Sequence, residues 1–359
     1  MEVKVNNILT FYRGQEDIVV NEKANYAESL FKDQYTHALL QIHQLTSKNK
    51  DGVPSILAFC GDRGEGKTSC METIKTMLAN INGKEDEHVK TAIDDFMQKC
   101  IVNKESNETL KSKCKNLTKT KFKVLDTIDP AFFDKDHNVI ELVLGMMYRE
   151  IKEQEKEYDI NPEGRKKLLA EFHNAKLCLT QLNKGDNLYD PIDELEWLSG
   201  GLALKDQFQK LCDTYLEYSL QDNDKEKQRF LVIPIDDIDL NGAYEMAEQI
   251  RKYLCANNCI VLMSLNIDQF IEVVSNYISK QVAPQEYLGA MEMAQKYVTK
   301  LIPMEYRIMM PKPYDFCNRP FLYVVSESEK KTYNSVKESV VRLIYDKTRF
   351  LFYNNKGSV

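Results

Sequence analysis

One eight-residue stretch constrains the fold of this chain more than any other. Residues 61–68, GDRGEGKT, match the pattern G-x-x-x-x-G-K-[ST] at every position. A short apolar run, Ile56–Cys60, precedes the stretch, and apolar residues at helical spacing follow it from Ser69 onward. The pattern therefore falls between a predicted buried strand and a predicted helix. Glycines let such a loop curl and point its backbone N–H groups at an anion, and the helix N-terminus adds positive potential.

This arrangement of strand, loop and helix predicts a Walker A phosphate-binding loop, or P-loop, that binds ATP and Mg²⁺. We expect Lys67 to contact the β- and γ-phosphates and to be catalytic, and the hydroxyl group of Thr68 to bind Mg²⁺. The alternative is a glycine-rich turn without a ligand. The predicted nucleotide-binding residues are Gly61, Asp62, Arg63, Gly64, Glu65, Gly66, Lys67, Thr68 and Ser69.

A second motif follows much later in the chain. The apolar run Phe230–Ile235 ends in two acids, Asp236 and Asp237, as in a Walker B element. It predicts a strand that brings both carboxylates to the edge of the sheet beside the P-loop. We expect Asp236 to bind Mg²⁺ and Asp237 to polarise the attacking water. Because an apolar run before two acids is common by itself, this assignment depends on the P-loop. Pro234 has no N–H to donate, so it predicts an irregularity in the strand.

A third predicted buried strand, residues 259–266, ends in polar residues, the last of which is Asn266. If this strand is a neighbour in the same sheet, the Asn266 side chain lies close to the γ-phosphate and takes part in catalysis. The alternative is that Asn266 only caps the end of the strand. The sequence does not decide between these two roles.

Composition and charge narrow the class of protein. The 359 residues are 43% hydrophobic and 29% charged, as in a globular chain. The net charge of −7 does not indicate a broad nucleic-acid surface, although a local basic patch stays open. Nine cysteines without a C-x-x-C pair or a secretory leader predict reduced thiols in a cytoplasmic protein. No apolar run reaches the length of a membrane span, so no membrane partner is expected.

The order of the predicted elements indicates a single α/β domain over residues 1–359. Strands alternate with helices, which predicts a parallel sheet with helices on both faces. The core is extended by an N-terminal helical arm (1–50), a polar basic insertion (83–121), a helical insertion between the two motifs (150–222) and the start of a C-terminal lid or helical region (312–359). Since the last segment is short for a lid, we expect either a reduced lid or a longer natural chain.

Hydrophobic periodicity and turn residues give the remaining elements. A turn is predicted at 199–201, after Trp197, which we interpret as a packing anchor. The lysines between 104 and 121 indicate either a solvated insertion or a surface for an acidic partner or nucleic acid. Helices are predicted over 21–45, 139–158, 163–182, 202–220, 243–254, 267–278, 290–301 and 331–345, and strands over 122–130 and 304–311.

These motifs resemble the KAP group of P-loop ATPases, within the STAND and AAA+ superfamily. The resemblance lies in GDRGEGKTS, FLVIPIDDIDL, IVLMSLNIDQF and KYVTKLIPMEYRIMMP. KAP proteins carry Asp-Asp-hydrophobic-Asp after a strand, here 236–239, and a Tyr-Leu-Glu-Lys-Ile-Ile-like helix that enters a strand, here 297–311. The chain departs from the group in two ways. Many members have transmembrane helices between the Walker motifs, and the group's usual Arg is Leu240 here.

A KAP-like ATPase with a large helical insertion is similar to the ATPase component of RADAR-type bacterial antiphage systems. The resemblance implies an AAA+/STAND-like fold, assembly into a homo-oligomeric ring and an adenosine deaminase as the partner effector. It also implies that the helix entering the last strand faces the nucleotide of the next subunit. Lys300 and Arg307 are then candidate catalytic cations in trans, and Lys296 lies on the same helix as a further cation near the expected place. The alternative is that Lys300 and its neighbour Lys296 are ordinary solvated residues.

Three functions are compatible with these residues. The first is an ATP-hydrolysing oligomeric switch or motor that regulates a partner effector, in bacterial antiphage defence by the resemblance. The second is a DNA-transacting ATPase, and the third is a P-loop kinase. Long helical insertions suit protein contacts and favour the switch. The residues leave GTP open, although no [NT]-K-x-D motif follows the Asp-Asp strand, which favours ATP.

Overall fold

Five parallel strands form the central sheet of the computed structural model. The strands within the described residues are β1 (Ile8–Leu9), β2 (Ile56–Cys60), β3 (Lys121–Val124), β4 (Arg229–Ile235), β5 (Cys259–Leu265), β6 (Arg307–Met309), β7 (Tyr323–Val325) and β8 (Lys330–Thr332). The central sheet has the order β3-β4-β5-β2-β6. Every residue of β2 and β5 is buried, because a parallel sheet is covered on both faces. The predicted α/β fold with a parallel sheet is confirmed.

Helices cover both faces of this sheet. The structure describes residues 8–9, 26, 29, 31–47, 55–81, 87–98, 117–130, 138–155, 161–183, 191–220, 228–239, 242–280, 287–312, 323–325, 330–332 and 342. Within these residues the helices are α1 (Lys32–Ser47), α2 (Lys67–Asn80), α3 (Glu87–Phe96), α4 (Val139–Glu155), α5 (Pro162–Asn183), α6 (Pro191–Leu220), α7 (Ala243–Gln249), α8 (Ile267–Ser279) and α9 (Tyr287–Leu301).

The alternation of side chains along β2 divides the core into two layers. Leu57 and Phe59 face one apolar cluster, which contains buried residues of α1, α2 and α3. Ile56, Ala58 and Cys60 face the other, which contains buried residues of α4 to α9. Successive residues of a strand point to opposite faces, so one short apolar strand anchors both layers. This burial holds the end of β2, and the loop that follows it, at a fixed position.

Most of the predicted helices are confirmed, with ends that differ by a few residues. Residues 243–254 form α7 followed by a π-helical turn, Ile250–Leu254. The first helix begins later than predicted, at Lys32 instead of residue 21. The reason lies at Ser29, whose hydroxyl oxygen accepts a hydrogen bond from the Phe31 N–H at 3.2 Å. Such a serine turn competes with helical bonding and sets the entry into α1.

The turn predicted at residues 199–201 is wrong, because α6 continues through it without a break. Two glycines in this stretch let α6 pack closely on α5. A Cβ on Gly200 would lie 3.0 Å from Cβ of Gln181, and one on Gly201 would lie 3.1 Å from Cδ2 of Leu182. The glycines therefore serve helix packing rather than chain reversal. The Trp197 side chain, which we interpret as a packing anchor, lies outside the described part.

The polar segment after α2 is not wholly solvated. Its first part forms α3, whose Ile93 and Phe96 side chains are fully buried. The Phe96 ring packs edge-on against Tyr26 and Tyr35, with ring centroids 6.3 and 6.2 Å apart. The helix could have been predicted, because Val89, Ala92, Ile93 and Phe96 recur at helical spacing within the polar segment. The lysines between 104 and 115 lie outside the described residues.

The strand expected over residues 122–130 is regular only as β3 and becomes irregular beside Pro234. The regular pairing of β3 with β4 ends at Val124 and Val232, and one further bridge joins Ile128 to Ile235. Because Pro234 donates no N–H, the chain between these pairs leaves the ladder. The Pro234 carbonyl still accepts from the Ile128 N–H at 2.9 Å. β4 itself is continuous and pairs with β5 through Pro234, so the irregularity lies in the neighbouring chain after β3 and not in the proline-containing strand as predicted.

The C-terminal elements differ from those predicted. β7 and β8 form an antiparallel pair, and β1 pairs in parallel with β7, which gives a second sheet of three strands. Lys331 and Thr332 belong to β8, so the helix predicted over 331–345 is wrong at its start. Most of the rest of that segment lies outside the described residues. The strand predicted over 304–311 is also shorter, since a 3₁₀ turn, Met304–Tyr306, precedes β6.

Candidate functional site

Three adjacent strands bring the residues predicted for the site to one edge of the sheet. β2 leads into the glycine-rich loop, residues 61–66. β4 leads into Asp236 and Asp237. β5 lies between β2 and β4 in the sheet and leads into Asn266. The strands are parallel, so all three ends lie at the carboxyl edge of the sheet. In open α/β sheets, ligands bind in the crevice at this edge.

The loop depends on three glycines. Gly64 has a φ of +84° and Gly66 a φ of +85°, conformations that residues with a Cβ rarely adopt. Gly66 also stands directly against the Phe31 ring, where a Cβ would lie 2.5 Å from Cζ. At Gly61, a Cβ would lie 2.8 Å from Cβ of Met310, which follows β6. The glycine positions of the motif are therefore set by backbone conformation and by close packing.

Asp62 and Glu65 hold the loop in a closed turn. The Asp62 N–H donates to Oε2 of Glu65 at 2.7 Å, and the Glu65 N–H donates to the Asp62 carbonyl at 3.2 Å. The ammonium group of Lys67 donates to the same carbonyl at 3.3 Å. Arg63 is exposed at the tip of the turn. The backbone is thus ordered by the loop's own residues, with the Lys67 ammonium group held against it.

Lys67 and Thr68 begin α2 at the end of this loop. The Lys67 side chain is only 8% exposed, so its ammonium group lies beneath the loop instead of in open solvent. Ser69 follows in the first turn, and its carbonyl accepts a hydrogen bond from the Thr73 hydroxyl. The N-terminus of α2 adds positive potential beside Lys67. This end of the helix is therefore suited to an anion.

The two predicted motifs meet at a hydrogen bond. The Thr68 hydroxyl donates to Oδ1 of Asp236 at 3.0 Å, although 168 positions separate the two residues in the sequence. A hydroxyl and a carboxylate are oxygen ligands of the kind that Mg²⁺ prefers. Among the described residues, no three His, Cys, Asp or Glu side chains cluster as a metal site. A cation here would therefore take its other ligands from phosphate and water.

Asp237 follows Asp236 in an unusual conformation. Its φ is +42°, and within the described chain it is the one non-glycine residue with a positive φ. Burial and the neighbouring Asp236 carboxylate raise the pKa of Asp237, while the positive charge of Lys67 opposes the increase. Strained residues of this kind often occur at functional sites. The Asp237 side chain is exposed, and the positive charge of Lys67 partly balances the negative charge of its carboxylate.

Asn266 caps a helix and also contacts the glycine-rich loop. Its side-chain oxygen caps α8 by accepting hydrogen bonds from the Asp268 and Gln269 N–H groups, at 3.0 and 3.1 Å. Its amide nitrogen donates to Oδ1 of Asp62 in the glycine-rich loop at 2.8 Å. The cap is that of α8, whereas the alternative was a cap of the strand end only, and the same side chain also contacts the glycine-rich loop. Its contact with a phosphate stays a prediction.

Lys300 and Arg307 do not join this group of residues. Lys300 is exposed in the last turn of α9, which leads to the amino end of β6, away from the glycine-rich loop. The Arg307 guanidinium donates to the Ile302 carbonyl at 2.9 Å and to the Val298 carbonyl at 3.4 Å. Burial lowers the pKa of Arg307. Their predicted roles therefore require a neighbouring subunit.

Two residues make contacts in the site that were not predicted. Ser264 on β5 is fully buried and contacts both Asp236 and Asp237. Asp239, which is 6% exposed, accepts a hydrogen bond from the Asn266 N–H at 2.8 Å and so ties the second motif to β5. A signal for Ser264 was present in the sequence, because a serine interrupts the apolar strand two residues before Asn266. Its partners could not be named without the strand order.

The chain matches no known protein-family model, and no curated protein is significantly similar to it. The resemblance to the KAP group therefore depends on the motif residues alone. In the described part of the chain, no helix combines the length and the apolar character that crossing a membrane requires.

Proposed function

We propose that this protein binds Mg²⁺ and ATP at the glycine-rich loop and hydrolyses the nucleotide. The observation that carries this proposal is the Thr68–Asp236 hydrogen bond. It joins Thr68, the last residue of the glycine-rich pattern, to Asp236, the first acid after β4, although β5 lies between β2 and β4 in the sheet. A chance match to the first pattern would give no reason for the second to lie beside it. The loop is then a P-loop, and the two patterns are Walker A and Walker B elements.

The residues present fit the expected ligand. The backbone turn of residues 61–66 and the N-terminus of α2 offer N–H groups to phosphate oxygens. Lys67 supplies a positive charge, and it can exchange its contact with the Asp62 carbonyl, 3.3 Å long, for a phosphate. Mg²⁺ would neutralise charge on the phosphates from a position at Thr68 and Asp236. We propose that the carboxylate of Asp237 is the general base that accepts a proton from the attacking water.

The wider role that we propose is an oligomeric switch. By the resemblance to KAP ATPases, the nucleotide would control assembly into a ring and the activity of an effector, such as an adenosine deaminase, in bacterial antiphage defence. One feature of the structure supports such a role. The site includes Lys67 as a cation within hydrogen-bond reach of the loop, whereas Lys300 and Arg307 lie at other positions. A further cation from a neighbouring subunit would complete the site.

Phosphate release by the full chain with Mg²⁺ and either ATP or GTP tests the proposed activity. We expect Asp237→Asn to keep nucleotide binding and to lower the rate by about 100-fold or more, since general bases contribute on this scale. Asp236→Asn should instead raise the Mg²⁺ concentration that is needed. A wild-type rate in Asp237→Asn would show that Asp237 is not the base. Transfer of phosphate to a protein or small molecule instead of water would favour a kinase.

A further inference from the structure

One buried hydroxyl group contacts both acids of the candidate site. Ser264, on β5, is 0% exposed. Its Oγ donates a hydrogen bond to Oδ1 of Asp236, and it accepts one from the Asp237 N–H at 3.0 Å. The Ser264 carbonyl also accepts from the Ile238 N–H at 3.2 Å. Ser264 therefore bonds to three successive residues at the end of β4.

The first of these bonds orients the carboxylate of Asp236. Oδ1 receives both the Ser264 hydroxyl and the Thr68 hydroxyl, so the carboxylate is held between β5 and α2. No described residue donates a hydrogen bond to Oδ2. The second oxygen is therefore not engaged by a described donor and stays available to a cation. Partners that orient a metal-binding carboxylate in this way tune the affinity of the site.

The second bond stabilises the backbone of Asp237. A φ of +42° is unfavourable for aspartate, and a specific partner for its N–H offsets part of that cost. Ser264 is the partner, since the Asp237 N–H donates to its Oγ. In an extended conformation the Asp237 side chain would point in another direction. The hydroxyl of Ser264 therefore also fixes where the second carboxylate lies.

We propose that Ser264 is a positioning residue that sets the Mg²⁺ affinity and the catalytic rate together. The inference rests on the proposed function, because it gives the two acids their roles in ATP hydrolysis. It adds a residue that is outside both nucleotide-binding patterns. A change at Asp236 or Asp237 alters one acid, whereas the loss of the Ser264 hydroxyl alters the position of both.

The test is ATP hydrolysis by the full chain at increasing Mg²⁺ concentration. For Ser264→Ala we expect a half-saturating Mg²⁺ concentration about 10-fold higher and a kcat about 10-fold lower, as is typical when such partners are removed. Ser264→Thr keeps the hydroxyl and should stay close to wild type. Ser55→Ala is the matched control. Ser55 is 1% exposed and precedes β2, at the opposite end of the same sheet.

The outcomes separate this inference from the proposed function. If wild type hydrolyses ATP and Ser264→Ala behaves as Ser55→Ala does, the positioning role is wrong. Equal losses in Ser264→Ala and Ser264→Thr, with an unchanged Mg²⁺ dependence, would also overturn it. If Ser264→Ala does not fold, the same comparison is made between Ser264→Thr and Ser264→Val, which have the same shape and differ in the hydroxyl. A wild-type protein without Mg²⁺-dependent hydrolysis would overturn both proposals.

Discussion

At the scale of single residues, the loop is specified by backbone conformation and by contact with Phe31. Gly64 and Gly66 share a positive φ, yet they differ in surroundings. A Cβ on Gly64 meets no atom of the described chain within 4 Å, whereas one on Gly66 meets the Phe31 ring at 2.5 Å. The sequence pattern contains both glycines but does not show which of them is also confined by packing.

We expect Gly66→Ala to destabilise the protein more than Gly64→Ala. Placing alanine at a left-handed position costs about 1–2 kcal/mol, and the clash with Phe31 adds about 1–3 kcal/mol in Gly66→Ala alone. Chemical denaturation of both variants measures the difference. Equal losses of unfolding free energy would show that Phe31 does not confine the loop.

The residues of the site that the sequence predicted are those whose chemistry is local. Lys67 and Thr68 follow from one continuous pattern, and Asp236 follows from an acid at the end of an apolar run. Ser264 and Asp239 could not be assigned from the sequence, because their roles depend on which strands are neighbours. For Asn266 the sequence allowed two roles, and the structure shows its side chain capping α8 and bonding to Asp62.

At the scale of secondary-structure elements, the strands were easier to predict than the glycine-containing helix. β2, β4 and β5 are continuous apolar runs because both faces of the sheet are covered. α6 was predicted to start only after its two adjacent glycines, since glycine lowers helix propensity. The contact with α5 decides the outcome, and such a tertiary contact is not visible in a local window of sequence.

The packing of α6 on α5 predicts opposite effects for two helical glycines. We expect Gly200→Leu to lower the free energy of unfolding by about 1–3 kcal/mol, because the side chain would overlap Gln181 and the Cys178 carbonyl. Gly145→Ala in α4 is the control. A Cβ there meets no described atom within 4 Å, so the change should raise stability by about 0.5–1 kcal/mol. Thermal unfolding that moves in the same direction for both would contradict this packing.

At the scale of the whole molecule, the order β3-β4-β5-β2-β6 creates the site. It places β5 between the strand that leads to the loop and the strand that leads to the acids. The sequence predicted parallel strands and their approximate bounds, but not their lateral order. That order depends on long crossovers and on packing between distant segments, for which local periodicity gives no signal.

In the oligomeric ring that we propose, ATP hydrolysis would need a cationic residue from a neighbouring subunit. We expect Lys300→Ala and Asp237→Asn to be inactive alone and active when mixed, because each would supply the part that the other lacks. A cation in trans contributes about 10³-fold or more to phosphoryl transfer. Phosphate release is measured in mixtures at several protein concentrations. No rescue, together with a specific activity independent of concentration, would show that one chain contains the whole site.

The central claim is that the loop binds Mg²⁺ and ATP through Lys67, and nucleotide binding by titration calorimetry tests it most directly. We expect wild type to bind ATP with Mg²⁺ and Lys67→Ala to bind at least about 10-fold more weakly, because a buried cation at the phosphates is lost. Lys176→Ala is the control, since Lys176 is exposed on α5 and pairs with Glu141 at 2.6 Å. Binding that is absent in wild type, or equal in wild type and Lys67→Ala, would contradict the account.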